Sequence, residues 1–480
     1  MKRYDMVVIG GGTAGLVSSV IAATAGARVA LVERSRTGGD CLWTGCVPSK
    51  SLIAAAHLAH RMRTADRLGL LAVEPDVDFA HVMDRVHAAI ADIAPHDSPE
   101  RLRAEGVEVI EGDARFVAPG RIDVEGRELA YRAALVATGS QPMVPPIPGL
   151  ADASPLTNET VWDLRELPRR LVVLGGGPIG CELGQAFARL GSDVTLIEMA
   201  PRLLAKEEPE AGDLVREHLS KDGVDLRLSA KAVEVRAAAH GHEVVIEAGD
   251  TRDTVAFDRI LVAAGRRPQS DGLGLDAIGA QTDERGAVLV DGRLRTSARN
   301  VYAIGDVTGQ LPFTHVAAYH ARVATVNALF RARSKVSYDA VPWVTFTDPE
   351  VARVGMSEEQ ARERWGERIV TVSSPYARLD RAIAAAEAHG FAKLIGDPNG
   401  RLVGATVAAP AGGEAIAELA AWIAQSGKID DVSQTVHAYP TLAEGQARAA
   451  DEHVGAKYAR SRVRAITRPA LAALRLIDRP

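Results

Sequence analysis

The sequence predicts an α/β protein: two copies of a parallel-sheet unit in tandem, followed by a smaller α+β domain. Two observations predict it. A strand, glycine-turn, helix, strand segment occurs twice at an offset of 165 residues. Beyond about residue 337 that pattern gives way to short apolar or alternating runs. A third observation argues against a plain binding scaffold. Two of the three cysteines lie five positions apart, in Cys41-Leu-Trp-Thr-Gly-Cys46-Val-Pro-Ser-Lys50.

The first copy opens with Val8-Ile-Gly-Gly-Gly-Thr-Ala-Gly15, runs helically to Gly26 and closes with Val29-Ala-Leu-Val-Glu33. The second opens with Val173-Leu-Gly-Gly-Gly-Pro-Ile-Gly180, runs to Gly191 and closes with Val194-Thr-Leu-Ile-Glu198. In both, the closing glutamate lies 23 positions after the first glycine. Gly10 and Gly175 fit the tight turn. Gly12 and Gly177 let the backbone approach a pyrophosphate, and Gly15 and Gly180 let helix and strand pack closely. The helix N-terminus then offers free N–H groups and a positive dipole end to phosphates. Glu33 and Glu198 stand where a carboxylate accepts hydrogen bonds from ribose hydroxyls. One such turn is a weak signal. Two with matched helices and matched acids point to two Rossmann-like dinucleotide units.

Each copy has a later apolar strand ending in glycine: Leu135-Val-Ala-Thr138-Gly139 and Leu261-Val-Ala-Ala-Gly265. A third such strand, Val301-Tyr-Ala-Ile-Gly305-Asp306, is expected to return to the first unit. The C-terminal ends of these strands are where ligand crevices form in open α/β sheets. Pro142-Met-Val-Pro-Pro-Ile-Pro148 reads as a connector. The expected division is 1–155 with 270–336 for the first unit and 156–269 for the second. The α+β domain takes 337–459, with strands at Val341–Thr347, Phe391–Ile395 and Leu402–Ala408 and a helix at Glu414–Gln425. A tail takes 460–480.

Bulk properties exclude several classes. With 47% hydrophobic and 25% charged residues, the chain suits a large soluble core. A net charge of −6 gives no reason to expect a nucleic-acid partner. Three cysteines in 480 residues do not make a secreted disulfide framework. No signal-length apolar region precedes the first strand, and no run of about 20 apolar residues occurs. A cytoplasmic location is expected.

Close cysteines in a reducing compartment are more often catalytic, redox-active or metal-binding than structural. Pro48 suits a first helical turn, so Cys46 lies near a positive helix end, which favors thiolate. Lys50, four residues on, shares its face.

Gly38-Gly-Asp-Cys41-Leu-Trp-Thr-Gly-Cys46-Val-Pro-Ser-Lys50 resembles the redox motif of the class I pyridine nucleotide–disulfide oxidoreductases. These include dihydrolipoamide dehydrogenase, glutathione reductase and mercuric reductase. The likeness covers about residues 4–455 in the same order. It implies FAD in the first unit, NAD(P)H in the second and a homodimer with shared active sites through the last domain. Hydride would pass from nicotinamide to flavin and on to the Cys41–Cys46 disulfide. Cys46 would be the flavin-side thiolate, and Cys41 the interchange thiol. Lys50 would approach the flavin and pair with Glu182. Thr138-Gly139 and Gly305-Asp306 would contact FAD, Asp306 through the ribityl chain, and Gly112-Asp-Ala114 would meet the adenine. Glu198 favors NADH, because a carboxylate repels a 2′-phosphate; Arg202 nearby keeps NADPH open. Cys181 receives no role, and no resident metal is expected.

The chain departs from the family near its end. The usual frame is His-x-His-Pro-Thr-x-x-Glu, whose second histidine is the acid–base for thiol exchange. Here the stretch is His437-Ala-Tyr439-Pro440-Thr441-Leu-Ala-Glu444. Tyrosine titrates near 10 and histidine near 6.5, so an unshifted phenol is about 99.9% protonated at pH 7. Acid–base catalysis is typically worth about 10²–10⁴-fold. His437 is an alternative base, against a structural role. Tyrosine here resembles mercuric reductase and its relatives, as do Tyr376–Ala382 and Gly390–Lys393. The chain has no cysteine after Cys181 to hand on a metal, although Cys41 and Cys46 suit soft metals.

The tail carries Arg460, Arg462, Arg464, Arg468, Arg475 and Arg479 against Asp478, with Ile466, Leu471, Leu474 and Leu476 as an apolar side. This suits a weak membrane-surface contact or a solvated or dimer-packed tail. The expected function is an FAD-dependent NAD(P)H oxidoreductase of the mercuric reductase-like branch. It would pass electrons to a small-molecule acceptor: a metal ion, a quinone or a small disulfide. The alternatives are a dihydrolipoamide dehydrogenase with an altered base and a low-turnover flavin redox sensor.

Overall fold

Apolar runs covered on both faces build the first sheet, as parallel strands require. In the computed structural model, which describes residues 3–238, 241–459 and 461–477, Arg3–Ile9 lies between Val29–Glu33 and Arg127–Val136, parallel to both. Glu108–Glu111 extends one edge. An antiparallel arm, Arg121–Val124 and Ala114–Ala118, extends from Arg127–Val136. Val301–Ala303 returns to this sheet, parallel to Arg127–Val136, with Val301 opposite Ala134. Met6 and Val8 are buried on one face with Ala14, Ala22, Ala317 and Ala321 from the helices Thr13–Thr24 and Thr314–Phe330. Val7 and Ile9 are buried on the other face with Phe116, Ile122 and Tyr131.

The second sheet repeats the plan with four parallel strands, in the order Asp225–Arg227, Asp193–Ile197, Arg170–Leu174, Arg259–Val262. A three-stranded antiparallel meander, Lys231–Ala238, Gly241–Ala248 and Thr251–Phe257, follows its first edge strand. The proline-rich connector makes one short pairing: Ser140–Pro142 lies antiparallel to Arg266–Pro268. Proline has no N–H to give a ladder, so it sits at the end of a two-stranded ribbon.

The chain divides into two compact units: Met1–Arg63 with Val73–Leu203 and Leu219–Ser337, and Thr64–Ala72 with Leu204–His218 and Tyr338–Pro480. Both glycine-turn segments fall in the first. The second holds a five-stranded antiparallel sheet, ordered Pro342–Thr345, Glu350–Gly355, Leu402–Ala409, Phe391–Gly396, Val370–Pro375. Glu350–Gly355 and Val370–Pro375 were not expected. Helices Gly412–Ala424 and Glu444–Ala459 contribute Ile416, Leu419, Ala449 and Ala450 to its core. The buried Lys393 ammonium lies 3.1, 2.6 and 3.0 Å from Glu208, Glu210 and Glu358, the pairing a buried charge requires.

Among the described residues, no helix is long and apolar enough to cross a membrane. The tail is helical over Ser461–Ile477, with Ile466, Leu471, Leu474 and Leu476 exposed. Arg460, Asp478 and Arg479 lie outside the described residues.

Candidate active site

The two glycine turns match in their backbone angles and contacts. Gly10 and Gly175 take φ of 104° and 115°, the left-handed region that favors glycine. A Cβ on Gly15 would lie 1.8 Å from the Gly10 carbonyl oxygen, and one on Gly180 would lie 1.9 Å from that of Gly175. The third glycine therefore accommodates the turn's own backbone as much as the strand. Gly12 and Gly177 precede their helices with matching angles, φ −76° and −79°. Each closing acid holds its turn: Gly11 N–H donates to Glu33 at 2.6 Å, and Gly176 N–H donates to Glu198 at 2.5 Å. Ser35 and Ala200 N–H groups bind the other carboxylate oxygens. Each carboxylate keeps lone pairs to accept from a ribose diol.

The remaining positions expected at the first nucleotide gather in the same unit. Gly112 N–H donates to the Glu33 carbonyl at 3.0 Å, which sets Gly112-Asp-Ala114 beside that acid. Thr138 donates to the Gln269 carbonyl at 2.5 Å, and Gly139 takes φ of 73°. Asp306 accepts from the Ser140 hydroxyl at 2.7 Å, and burial pushes its carboxyl above the usual range. The Gly305 N–H is accepted by His320 Nδ1 at 3.1 Å. Burial pulls His320 down to about 4, so it stays a neutral acceptor at pH 7. Beside Glu33 opens a cavity of about 810 Å³ bordered by Arg36, Trp43, His87, Glu111 and Trp162, within the size range of cofactor sites. A glycine cradle, a ribose acid and this cavity together fit an FAD. At the second glycine turn, Gly175, Gly177, Gly180, Glu198 and Gly265 (φ 115°) form the matching set, the positions expected at the nicotinamide nucleotide.

Cys41, Cys46, Lys50 and Glu182 come together as expected. Cys41 lies in a short helix, Gly39–Trp43, and Cys46 opens the helix Cys46–Arg63. Cys41 is half-buried and Cys46 exposed. The two sulfurs are hydrogen-bonded, and their proton affinities split. The Cys41 thiol bond, the Thr314 hydroxyl and the Lys50 charge pull Cys46 down to about 6, against the opposing effect of burial. The same bond, with burial, pushes Cys41 far above an ordinary thiol. At pH 7 the pair holds one proton, on Cys41. Lys50 Nζ reaches Glu182 at 2.8 Å, 132 residues away in sequence. Cys181 is buried, and burial raises its thiol, as suits an inert core residue.

Tyr439 and Glu444 belong to the second unit. Tyr439 is 68% exposed, and its hydroxyl donates to Asp380 at 2.9 Å. That bond raises the phenol pKa further, so Tyr439 remains protonated. Glu444 accepts from Thr441 N–H at 3.1 Å and so braces the turn rather than the phenol. His437 is locked at both ring nitrogens, to the Thr435 carbonyl at 2.9 Å and to Glu418 at 2.9 Å. Glu418 also accepts from Gln446 at 2.9 Å. This geometry is that of a structural histidine.

Sequence reasoning missed several groups. Thr314 Oγ1 lies 3.5 Å from Cys46 Sγ across 268 residues, and nothing local announces it. Asp380 binds Tyr439 across 59 residues. Gly39 packs so closely that its Cβ would sit 2.5 Å from Gly12 Cα, laying the cysteine segment on the phosphate turn. Asp40, inside the quoted motif, pairs with Arg266 at 2.7 Å.

Comparisons with known proteins identify the family. Residues 4–321 match the pyridine nucleotide-disulphide oxidoreductase family, and residues 341–450 match its dimerisation domain. A dihydrolipoyl dehydrogenase from Thermus scotoductus is 37% identical over 94% of this chain and 97% of its own length. A mercuric reductase from Lysinibacillus sphaericus is 34% identical over 92% of this chain and 81% of its own length. Among solved structures, a Cu(II) complex of the HOCl-induced flavoprotein disulfide reductase RclA from Escherichia coli is 30% identical, with a TM-score of 0.83 over 94% of this chain and 100% of that one.

Proposed function

The chain belongs to the pyridine nucleotide–disulphide oxidoreductases, homodimeric flavoenzymes that use FAD and NAD(P)H, and we propose that within them it is a mercuric reductase-like enzyme. Its acceptor is a metal ion, a quinone or a small disulfide. One observation carries this reading: the acid–base position holds Tyr439, with its hydroxyl given to Asp380. Reduction of an organic disulfide releases a thiolate that must be protonated. Metal reduction has no such leaving group, and the soft Cys41 and Cys46 sulfurs suit a thiophilic ion. The mercuric reductase likeness and the copper-bound relative support the same preference.

Bound FAD supplies hydride acceptance and two-electron transfer. The chain's residues do the rest. The hydride equivalent of NAD(P)H converts the Cys41–Cys46 disulfide to a Cys41 thiol and a Cys46 thiolate; re-forming the disulfide passes two electrons to the acceptor and releases the Cys41 proton. Cys46 is kept as the thiolate by Cys41, Thr314 and Lys50, and Glu182 holds Lys50 in place. Gly10, Gly12, Gly15, Glu33, Ala114, Thr138, Gly139 and Asp306 hold FAD. Gly175, Gly177, Gly180, Glu198 and Gly265 hold the nicotinamide nucleotide, with NADH favored. Accordingly 1–155 with 270–336 is assigned to FAD, 156–269 to NAD(P)H and 337–459 to the dimer. The dimer domain of one protomer completes the cysteine site of its partner. The assigned location is the cytoplasm. In the tail, Arg464, Arg468 and Arg475 share one helix face while Ile466 and Ile477 are exposed on another, which supports weak contact with an anionic membrane surface.

The 37% identity to a dihydrolipoyl dehydrogenase favors a second reading, a dihydrolipoamide dehydrogenase without its histidine. The deciding experiment follows NADH and NADPH oxidation with Hg(II), Cu(II), quinones, lipoamide and glutathione disulfide. Turnover highest with a metal or quinone supports the proposal. Lipoamide as the best acceptor overturns it in favor of the second reading.

A further inference from the structure

Asp40 immediately precedes Cys41 and is held from three sides. Its carboxylate pairs with Arg266 at 2.7 Å. It accepts from Asn158 Nδ2 at 3.3 Å and from the Thr44 hydroxyl. Arg266 is anchored in turn, donating to the Ser140 hydroxyl at 2.8 Å and to the Ser140 carbonyl at 2.9 Å. Ser140 then donates to Asp306 at 2.7 Å. A chain of polar contacts thus runs from the cysteine segment to the carboxylate assigned to the flavin side chain. Arg266 is largely buried, its side chain 16% exposed, and lies 226 residues from Asp40.

We propose that Asp40, counterbalanced by Arg266, is a positioning residue that sets the reducing strength of the Cys41–Cys46 pair. The inference rests on the redox-disulfide reading. Reducing the pair places a thiolate on Cys46, and the negative charge of Asp40, one residue before Cys41, acts to destabilize it. The dithiol therefore gives up its electrons more readily than it would beside a neutral residue. Arg266 limits the effect by neutralizing Asp40. The field of Asp40 acts on both thiols in the same direction, raising each. The other charged or polar groups at the pair are Lys50, with its partner Glu182, and Thr314; Glu159 and Asp306 act on Asp40. Among them Lys50 opposes Asp40 at Cys46.

Two charge-removing variants should act with opposite sign. The test uses FAD-loaded wild type, Asp40→Asn, Arg266→Gln and the double variant. It reads the pH profile of thiol alkylation after NADH reduction, and the equilibrium with a dithiol–disulfide buffer. Asp40→Asn should lower the alkylation midpoint by about one pH unit. It should shift the exchange about tenfold toward the dithiol, about 30 mV. Arg266→Gln should move both readouts the other way, and the double variant should lie near wild type. Singles that move together, or not at all, overturn the proposal, because loss of packing has no reason to change sign with charge. If Asp40→Asn does not retain FAD, Arg266→Gln alone decides, by a rise or no rise. If the wild-type pair takes up no electrons from NADH, the redox-disulfide reading itself fails. If it cycles while the variants leave the midpoint unmoved, only the Asp40 inference fails.

Discussion

The two glycine-turn segments share one local geometry and differ in what the chain attaches to it. Both have a left-handed first glycine, a third glycine pressed on the carbonyl of the first, and a glutamate binding the turn's N–H. After the first copy, Gly39 lays the cysteine segment on Gly12. After the second no cysteine follows; its helix instead supplies Glu182 to Lys50. On the proposed assignment the cradle is a generic nucleotide holder, and the redox function rests on the added segment and on the ion pair joining it to the other copy's helix.

Substitutions that separate the copies should have the largest effects. Gly15→Val should yield protein without FAD, read from its visible absorbance. Gly180→Val should retain FAD but lose its rapid reduction by NADH. If either variant loses both properties, or neither, the two cradles are not independent. Next, Cys46→Ser should leave the flavin reducible by NADH while acceptor turnover falls to background.

Smaller effects probe the ion pair. In wild type the Cys46 thiolate fraction should rise with pH through about 6, so alkylation of the reduced enzyme is slow below that pH and fast above it. Lys50→Met removes a favorable charge and should move the midpoint upward by about one unit. A downward shift would contradict the assigned role. Smallest, Glu198→Gln weakens charge-assisted bonds to a ribose. A loss of about 1.5–3 kcal/mol, roughly ten- to hundredfold in NADH affinity, is expected with little change in FAD content.

What the sequence made legible follows from range. Gly10 to Glu33 and Cys41 to Lys50 are local patterns, and their spacing carries their geometry. Lys50–Glu182 was accessible only through the family resemblance, since neither residue's neighborhood points to the other. Thr314, Arg266 and Asp380 were missed because tertiary packing, not spacing, brings them to Cys46, Asp40 and Tyr439. His437 was left open because a lone histidine does not reveal its partners; Thr435 and Glu418 occupy both nitrogens. The strand Glu350–Gly355 was missed because Glu350 and Arg353 interrupt its apolar run, and Val370–Pro375 because Ser373, Ser374 and Pro375 cut its alternation short.

The central claim is that Tyr439 slows exchange with organic disulfides while leaving the Cys41–Cys46 pair reducible. The most direct measurement is NADH-dependent lipoamide turnover of wild type against Tyr439→His, with flavin reduction by NADH followed in parallel. A gain of about 10²-fold or more in the variant, with unchanged flavin reduction, is expected. Efficient lipoamide turnover by wild type, or no gain in the variant, would contradict the claim.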